Sequence, residues 1–95
     1  MAATKYEAVV IFNPEEAAYR EGKEFLKKEF ETARITVVKE DDMGDRILAT
    51  SIGKHDRGHY ILYTIETEST QLRVVDKSIK LKAEILKSLF VRLEA

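Results

Sequence analysis

The sequence predicts an α+β sandwich, a four-stranded antiparallel sheet carrying both helices on one face, and three observations predict it. Runs rich in β-branched and aromatic residues alternate with two stretches of helical periodicity, in the order β-α-β-β-α-β. The chain has 95 residues and no repeat, linker or low-complexity tract, so residues 1–95 are expected to form one domain around one core. Hydrophobic residues make up 44% and charged residues 35%, an ordinary globular balance.

The first strand runs from Lys5 to Phe12, where Tyr, Val, Val, Ile and Phe favour extended backbone and Asn13-Pro14 stops the ladder. Asn13 suits a helix N-cap, Pro14 the first turn, and Glu15 and Glu16 the positive end of the helix dipole. Ala18, Gly22, Leu26, Phe30 and Ala33 then recur at helical spacing, and Phe25 widens the stripe. Ile35 to Val38 is short and β-branched, and Glu40-Asp41-Asp42 with Gly44 reads as a turn after it. Arg46 to Ile52, bounded by Gly53 and Gly58, reads as an extended hairpin region, and His59 to Ile65 as the strongest strand. Glu68-Ser69-Thr70 offers caps for a second helix with Leu72, Val75 and Ile79 on one face, ending near Leu81. Leu86 to Leu93 closes the chain as strand four. This order is the ferredoxin-like split βαβ pattern, which leaves one face of the sheet uncovered.

Alternation assigns the faces. His59, Ile61, Tyr63 and Ile65 point one way and Tyr60, Leu62, Thr64 and Glu66 the other, with Ile61 and Ile65 on the helix side. In strand four the apolar set Leu89, Val91 and Leu93 is expected on the helix side, with Ser88, Phe90 and Arg92 opposite. The expected core is Ala8, Val10, Phe12, Leu26, Phe30, Val37, Ile61, Ile65, Leu72, Val75, Ile79, Leu89 and Val91. Tyr60, Leu62 and Phe90 are then expected on the open face. They suit base stacking or protein contact, and protein contact is the better reading because the glycine-aromatic signature of base-stacking sheets is missing.

Composition narrows the function classes. No cysteine is present, which excludes disulfides and Cys-ligated metal centres and fits a reducing compartment. The run from Ala8 to Phe12 falls far short of a signal-peptide core or membrane span, so a cytoplasmic chain with no membrane partner is expected. His55 and His59 flank a glycine turn with Asp56, not one face of a helix, and Asp41, Asp42 and Asp45 lack calcium-loop spacing. Exposed hairpin histidines and turn acids are expected, and no metal or other cofactor. Ser51, His55 and Asp56 are triad types without triad geometry or a nucleophile elbow, and no glycine-rich phosphate loop exists. Neither catalysis nor a small-molecule substrate is expected.

The charge is asymmetric although the net charge is only -1. Residues 68–92 hold six bases against three acids, and residues 15–31 six acids against four bases. A basic second half can contact phosphates where the whole molecule does not attract them, although a solvated helix face gives the same pattern.

Lys5-Tyr6-Glu7, Asn13-Pro14, the stretch Gly44 to Ala49 before Ile52 and Lys54, then Gly58-His59-Tyr60 and Lys80-Leu81-Lys82 resemble bacterial small-subunit ribosomal protein six, in order and along essentially the whole chain. The sequence departs from that family at Ile47, Thr50 and Leu86, and its first helix looks a turn shorter. The resemblance implies a structural, cytoplasmic, ribosomal role: binding central-domain 16S rRNA as a heterodimer with ribosomal protein eighteen. It favours RNA contacts by Arg46, Lys54, Lys80, Lys82 and Lys87, which fall where the family carries basic residues; Lys5 and Arg92 are expected to contact phosphates with them, and the open-face residues Tyr60, Leu62 and Phe90 to meet the partner. On this view the isolated chain is a weak RNA binder and the partner supplies the missing positive charge. Which bases face RNA rather than protein stays open. The alternative is a free-standing ferredoxin-like binding or regulatory module.

Overall fold

The computed structural model describes residues 3–93. Its elements are β1 (Thr4–Phe12), α1 (Glu16–Thr32), β2 (Thr36–Ile52), β3 (His55–Thr67), α2 (Ser69–Ile79) and β4 (Ile85–Arg92). The sheet order is β2-β3-β1-β4 and every neighbouring pair is antiparallel. The β-α-β-β-α-β order and the two-layer architecture expected from the sequence are both present.

The core lies between the helices and one sheet face. Ala8, Val10 and Phe12 from β1 meet Ile61 and Ile65 from β3 under Leu26 and Phe30 of α1 and Leu72, Val75 and Ile79 of α2, all of them buried. Gly22 allows α1 to approach closely, since a Cβ there would lie 3.1 Å from the Phe12 ring and 3.2 Å from Glu84 Cβ. Helix α1 ends in a turn with Arg34 at φ 59°, where the Ile35 N–H donates to the Phe30 carbonyl at 2.8 Å and the chain reverses into β2. At its other end Glu15, not Asn13, is the N-cap; Asn13 Oδ1 instead accepts from the Glu15 N–H at 3.0 Å.

Strand β4 has the opposite phase to the one expected. Ile85 opposes Phe12 and Lys87 opposes Ile11, so two steps of β4 match one of β1 and Leu86 is the extra residue of a bulge. The slip exchanges the faces of everything after it. Ile85 stays in the core, Phe90 pairs with Ala8 and packs against the helix-side core, and Leu89 and Val91 are 55% and 46% exposed on the open face. Val37 pairs with Ile65 on the helix side as expected, but at the edge strand α1 does not cover it and it is 41% exposed.

The acidic stretch expected to be a turn is instead the middle of β2, a single edge strand of 17 residues. Register shifts between Val37 and Lys39 and between Asp42 and Gly44 bend it, and Gly44 takes φ 77° at the second. Bulges and charges on an edge strand discourage pairing with another chain.

Candidate functional site

Pairing partners place the open face in rows. Asp41, Leu62, Val9 and Leu89 form one row across β2, β3, β1 and β4. The next row towards the β2–β3 hairpin is Gly44, Tyr60, Ile11 and Lys87, and the row on the other side is Lys39, Thr64, Glu7 and Val91. The middle of the face is therefore apolar, built from Val9, Leu62, Leu89 and Val91 with Tyr60 beside them. Tyr60 and Leu62 stand where the sequence placed them. Phe90 does not: the bulge at Leu86 turns it to the helix side, and Leu89 and Val91 take its place.

Beyond Tyr60 the hairpin bends over this face. Leu48 and Ile11 are both buried although neither belongs to the helix-side core. They meet over Gly58, where an added Cβ would collide with Ile11 Cγ2 and lie 3.5 Å from a Leu48 methyl. Only glycine permits that approach. Beside this contact is a groove of about 330 Å³ lined by residues including Ile52, Tyr60 and Lys87.

The predicted basic residues fall in three places. Arg46 opposite Gly58, Lys87 opposite Ile11 and Lys54 in the hairpin turn belong to the hairpin end of the molecule. Lys5 stands at the other end of β1, opposite Glu66. Lys80, Lys82 and Arg92 are not on the open face. Arg92 opposes Tyr6 on the helix side, and Lys80 closes α2 with its Nζ 3.1 Å from Asp76 Oδ2. Lys82 is tied back: its Nζ lies 3.9 Å from Glu21, 3.7 Å from Glu84 and 5.2 Å above the Phe25 ring, and its side chain is only 27% exposed. It clamps α1 to the turn before β4.

A polar cluster on the helix side went unseen in the sequence. His59, expected to be an exposed hairpin histidine, is 16% exposed, with Nε2 2.6 Å from Asp42 Oδ1 and Nδ1 2.9 Å from Asp45 Oδ1. Its ring stacks on Tyr19 of α1 at 4.0 Å between centroids. Tyr19 in turn packs edge-on against Phe12, and its hydroxyl donates to Asp42 at 3.4 Å. Burial raises the Asp42 carboxyl, but the Gly44 N–H and the His59 ring outweigh it and hold the group below its ordinary range. Burial likewise opposes the charge on Lys23, and the Glu40 carboxylate at 3.2 Å reverses the effect, so the ammonium sits above its usual range. The cluster fastens β2 and β3 to α1 where the hairpin leaves the helices. His59 lies 14 residues after Asp45 and 17 after Asp42, and Tyr19 comes from another element, so no local spacing marks the cluster. Among the described residues no group of three His, Asp or Glu side chains is arranged to hold a metal ion.

The chain matches the family model described as ribosomal protein S6 over residues 5–92. It is 36% identical over 89 residues to the small ribosomal subunit protein bS6 of Treponema denticola, covering 94% of this chain and 96% of that one. The bS6 of Treponema pallidum is 28% identical over 90 residues, covering 95% and 97%. The crystal structure of 30S ribosomal protein S6 from Thermotoga maritima superposes with a TM-score of 0.85 at 23% identity, covering 96% of this chain and 88% of that one. The family match from Lys5 to Arg92 and the 36% identity to the Treponema denticola protein along nearly the whole of both chains lead to one assignment: the chain belongs to the ribosomal protein S6 family.

Proposed function

We propose that this chain is a non-catalytic structural component of the small ribosomal subunit in the cytoplasm, binding central-domain 16S rRNA as a heterodimer with ribosomal protein eighteen. Family membership and the names of its relatives support the ribosomal part. The observation that carries the rest is the open face, an apolar patch left uncovered by the chain's own helices. Val9, Leu62, Leu89 and Val91 form it, with Tyr60 and the cations Lys87 and Arg46 along its hairpin end. Uncovered apolar sheet surface ringed by charge suits a protein partner, and a partner seated there has RNA-attracting groups beside it.

Tyr60, Leu62, Leu89 and Val91 therefore carry the protein contact. Lys5, Arg46, Lys54, Lys80, Lys87 and Arg92 are exposed and contact phosphates, with Lys82 contributing least because its ammonium is already engaged. With a net charge of -1 the isolated chain binds RNA weakly, and the heterodimer binds tightly. Sedimentation tests the proposal: tagged chain from growing cells should travel with small ribosomal subunits. Sedimentation wholly apart from them would overturn it in favour of a free-standing module of the same fold.

A further inference from the structure

The solvent face of α2 carries charge that neither the open sheet face nor the core explains. Leu72, Val75 and Ile79 fill the core side of this helix. Arg73, Lys77 and Lys80 follow at i, i+4 and i+7 on the exposed side, spanning about 10 Å of axis, the reach of roughly three nucleotides of one strand. Asp76 is the one acid between them and is paired with Lys80. Among the described residues Arg73 and Lys77 have no carboxylate within 4.0 Å. With Val74, 63% exposed, these side chains line a shallow hollow of about 350 Å³.

Cations near a helix C-terminus have an ordinary explanation in the helix dipole, which accounts for Lys77 in the last turn and Lys80 at the cap. It does not account for Arg73 near the middle or for an exposed Val74 between two bases. Among the described residues Asp76 is the only carboxylate within 4.0 Å of these three cations; Glu68 at the N-cap of α2 and the acids of α1, which packs beside it, make no ion pair with them. Glu40, Asp41, Asp42 and Asp45 are all on β2, at one edge of the sheet, and α2 packs over β4 at the other. Arg92 ends β4 opposite Tyr6, at the end of the sheet where α2 begins, and continues the basic flank.

We propose that the outer face of α2, through Arg73 and Lys77 with Lys80 beside them, is a second phosphate-binding ridge for RNA of the small subunit. It lies on the opposite side of the sheet from the partner surface. The chain then bridges two components: protein on the open sheet face and RNA backbone on α2. This rests on the ribosomal reading above and adds to it a surface that faces RNA without the partner's help.

The test compares two double variants, each assembled with ribosomal protein eighteen on central-domain 16S rRNA over a range of salt concentrations. R73Q/K77Q removes both unpaired charges and keeps good helix formers, and circular dichroism checks that it is folded. Its slope of log affinity against log salt should fall by about two relative to the parent chain. In the parent complex Lys77 should also be protected from acetylation. An unchanged slope in R73Q/K77Q overturns the ridge. If R46Q/K87Q lowers the slope in the same assay, RNA binding at the hairpin end stands without α2. If the parent complex shows no salt-dependent affinity, the RNA reading fails and takes the ridge with it.

Discussion

Both faces of the sheet carry apolar residues, and those residues have opposite fates. On the helix side every large apolar residue of β1 and β3 is buried under α1 or α2, and Phe12, Leu26, Ile61, Ile65 and Ile79 lose essentially all contact with water. On the open side Leu89 and Val91 remain about half exposed, while Ile11 and Leu48 are covered only because the hairpin bends onto them. One bulge at Leu86 decides which face receives the apolar residues of β4. Apolar residues therefore hold this fold together on one face, and on the other they are available to a second molecule.

Substitutions on the two faces should separate stability from association. Ile65→Ala or Leu26→Ala leaves a cavity among residues that do not collapse to fill it and should cost about 2 to 5 kcal/mol in urea unfolding. Leu89→Ala should change unfolding by no more than about 0.5 kcal/mol, because the side chain is already half in water. Equal losses at Ile65 and Leu89 would erase the distinction between the faces.

The contact between the hairpin and the open face should show an intermediate effect. Gly58→Ala places a methyl group against Ile11 and close to Leu48, and the strain should cost about 1 to 3 kcal/mol. Ile11→Val in the same chain should recover part of that loss, since it shortens the side chain that collides. A neutral Gly58→Ala, read by thermal unfolding, would mean that the hairpin moves away freely.

The smallest expected effect is the pH dependence of the helix-side cluster. Asp42 is held below its ordinary 3.8 in the folded chain, so its stabilisation is complete above about pH 5. That contribution is lost as the pH falls through the lowered value, where the folded carboxylate takes up its proton. Asp42→Asn should therefore be less stable than the parent at pH 6, with the difference shrinking as unfolding is measured at pH 3 and then 2. A difference constant across that range would remove Asp42 from the acid response.

Much of this was legible in the sequence, because the apolar periodicity of α1, α2, β1 and β3 is local. Leu26, Phe30, Leu72, Val75 and Ile79 could be placed by spacing alone. The phase of β4 could not, since its apolar alternation is the same with or without an extra residue, and only pairing against Phe12 reveals the bulge. The acids of β2 read as a turn because Asp and Gly favour turns, and the pairing of Asp41 with Leu62 and Asp42 with Ile61 overrides that preference. Tyr60 and Leu62 were legible as open-face residues from alternation within β3. Lys82 was not legible as a clamp, because its partners Glu21 and Phe25 belong to a helix some 60 residues earlier in the chain.

The claim that the open face receives a protein partner is tested most directly by the affinity of the purified chain for ribosomal protein eighteen, measured by calorimetry for the parent, Leu89→Asp and Phe90→Ala. A buried carboxylate at the centre of an apolar contact is costly, so Leu89→Asp should weaken association at least about tenfold while thermal unfolding stays near that of the parent. Phe90→Ala, on the other face, should lower unfolding stability and leave the affinity of the folded chain unchanged. Parent-like affinity in Leu89→Asp, together with lost affinity in folded Phe90→Ala, would contradict this assignment of the two faces.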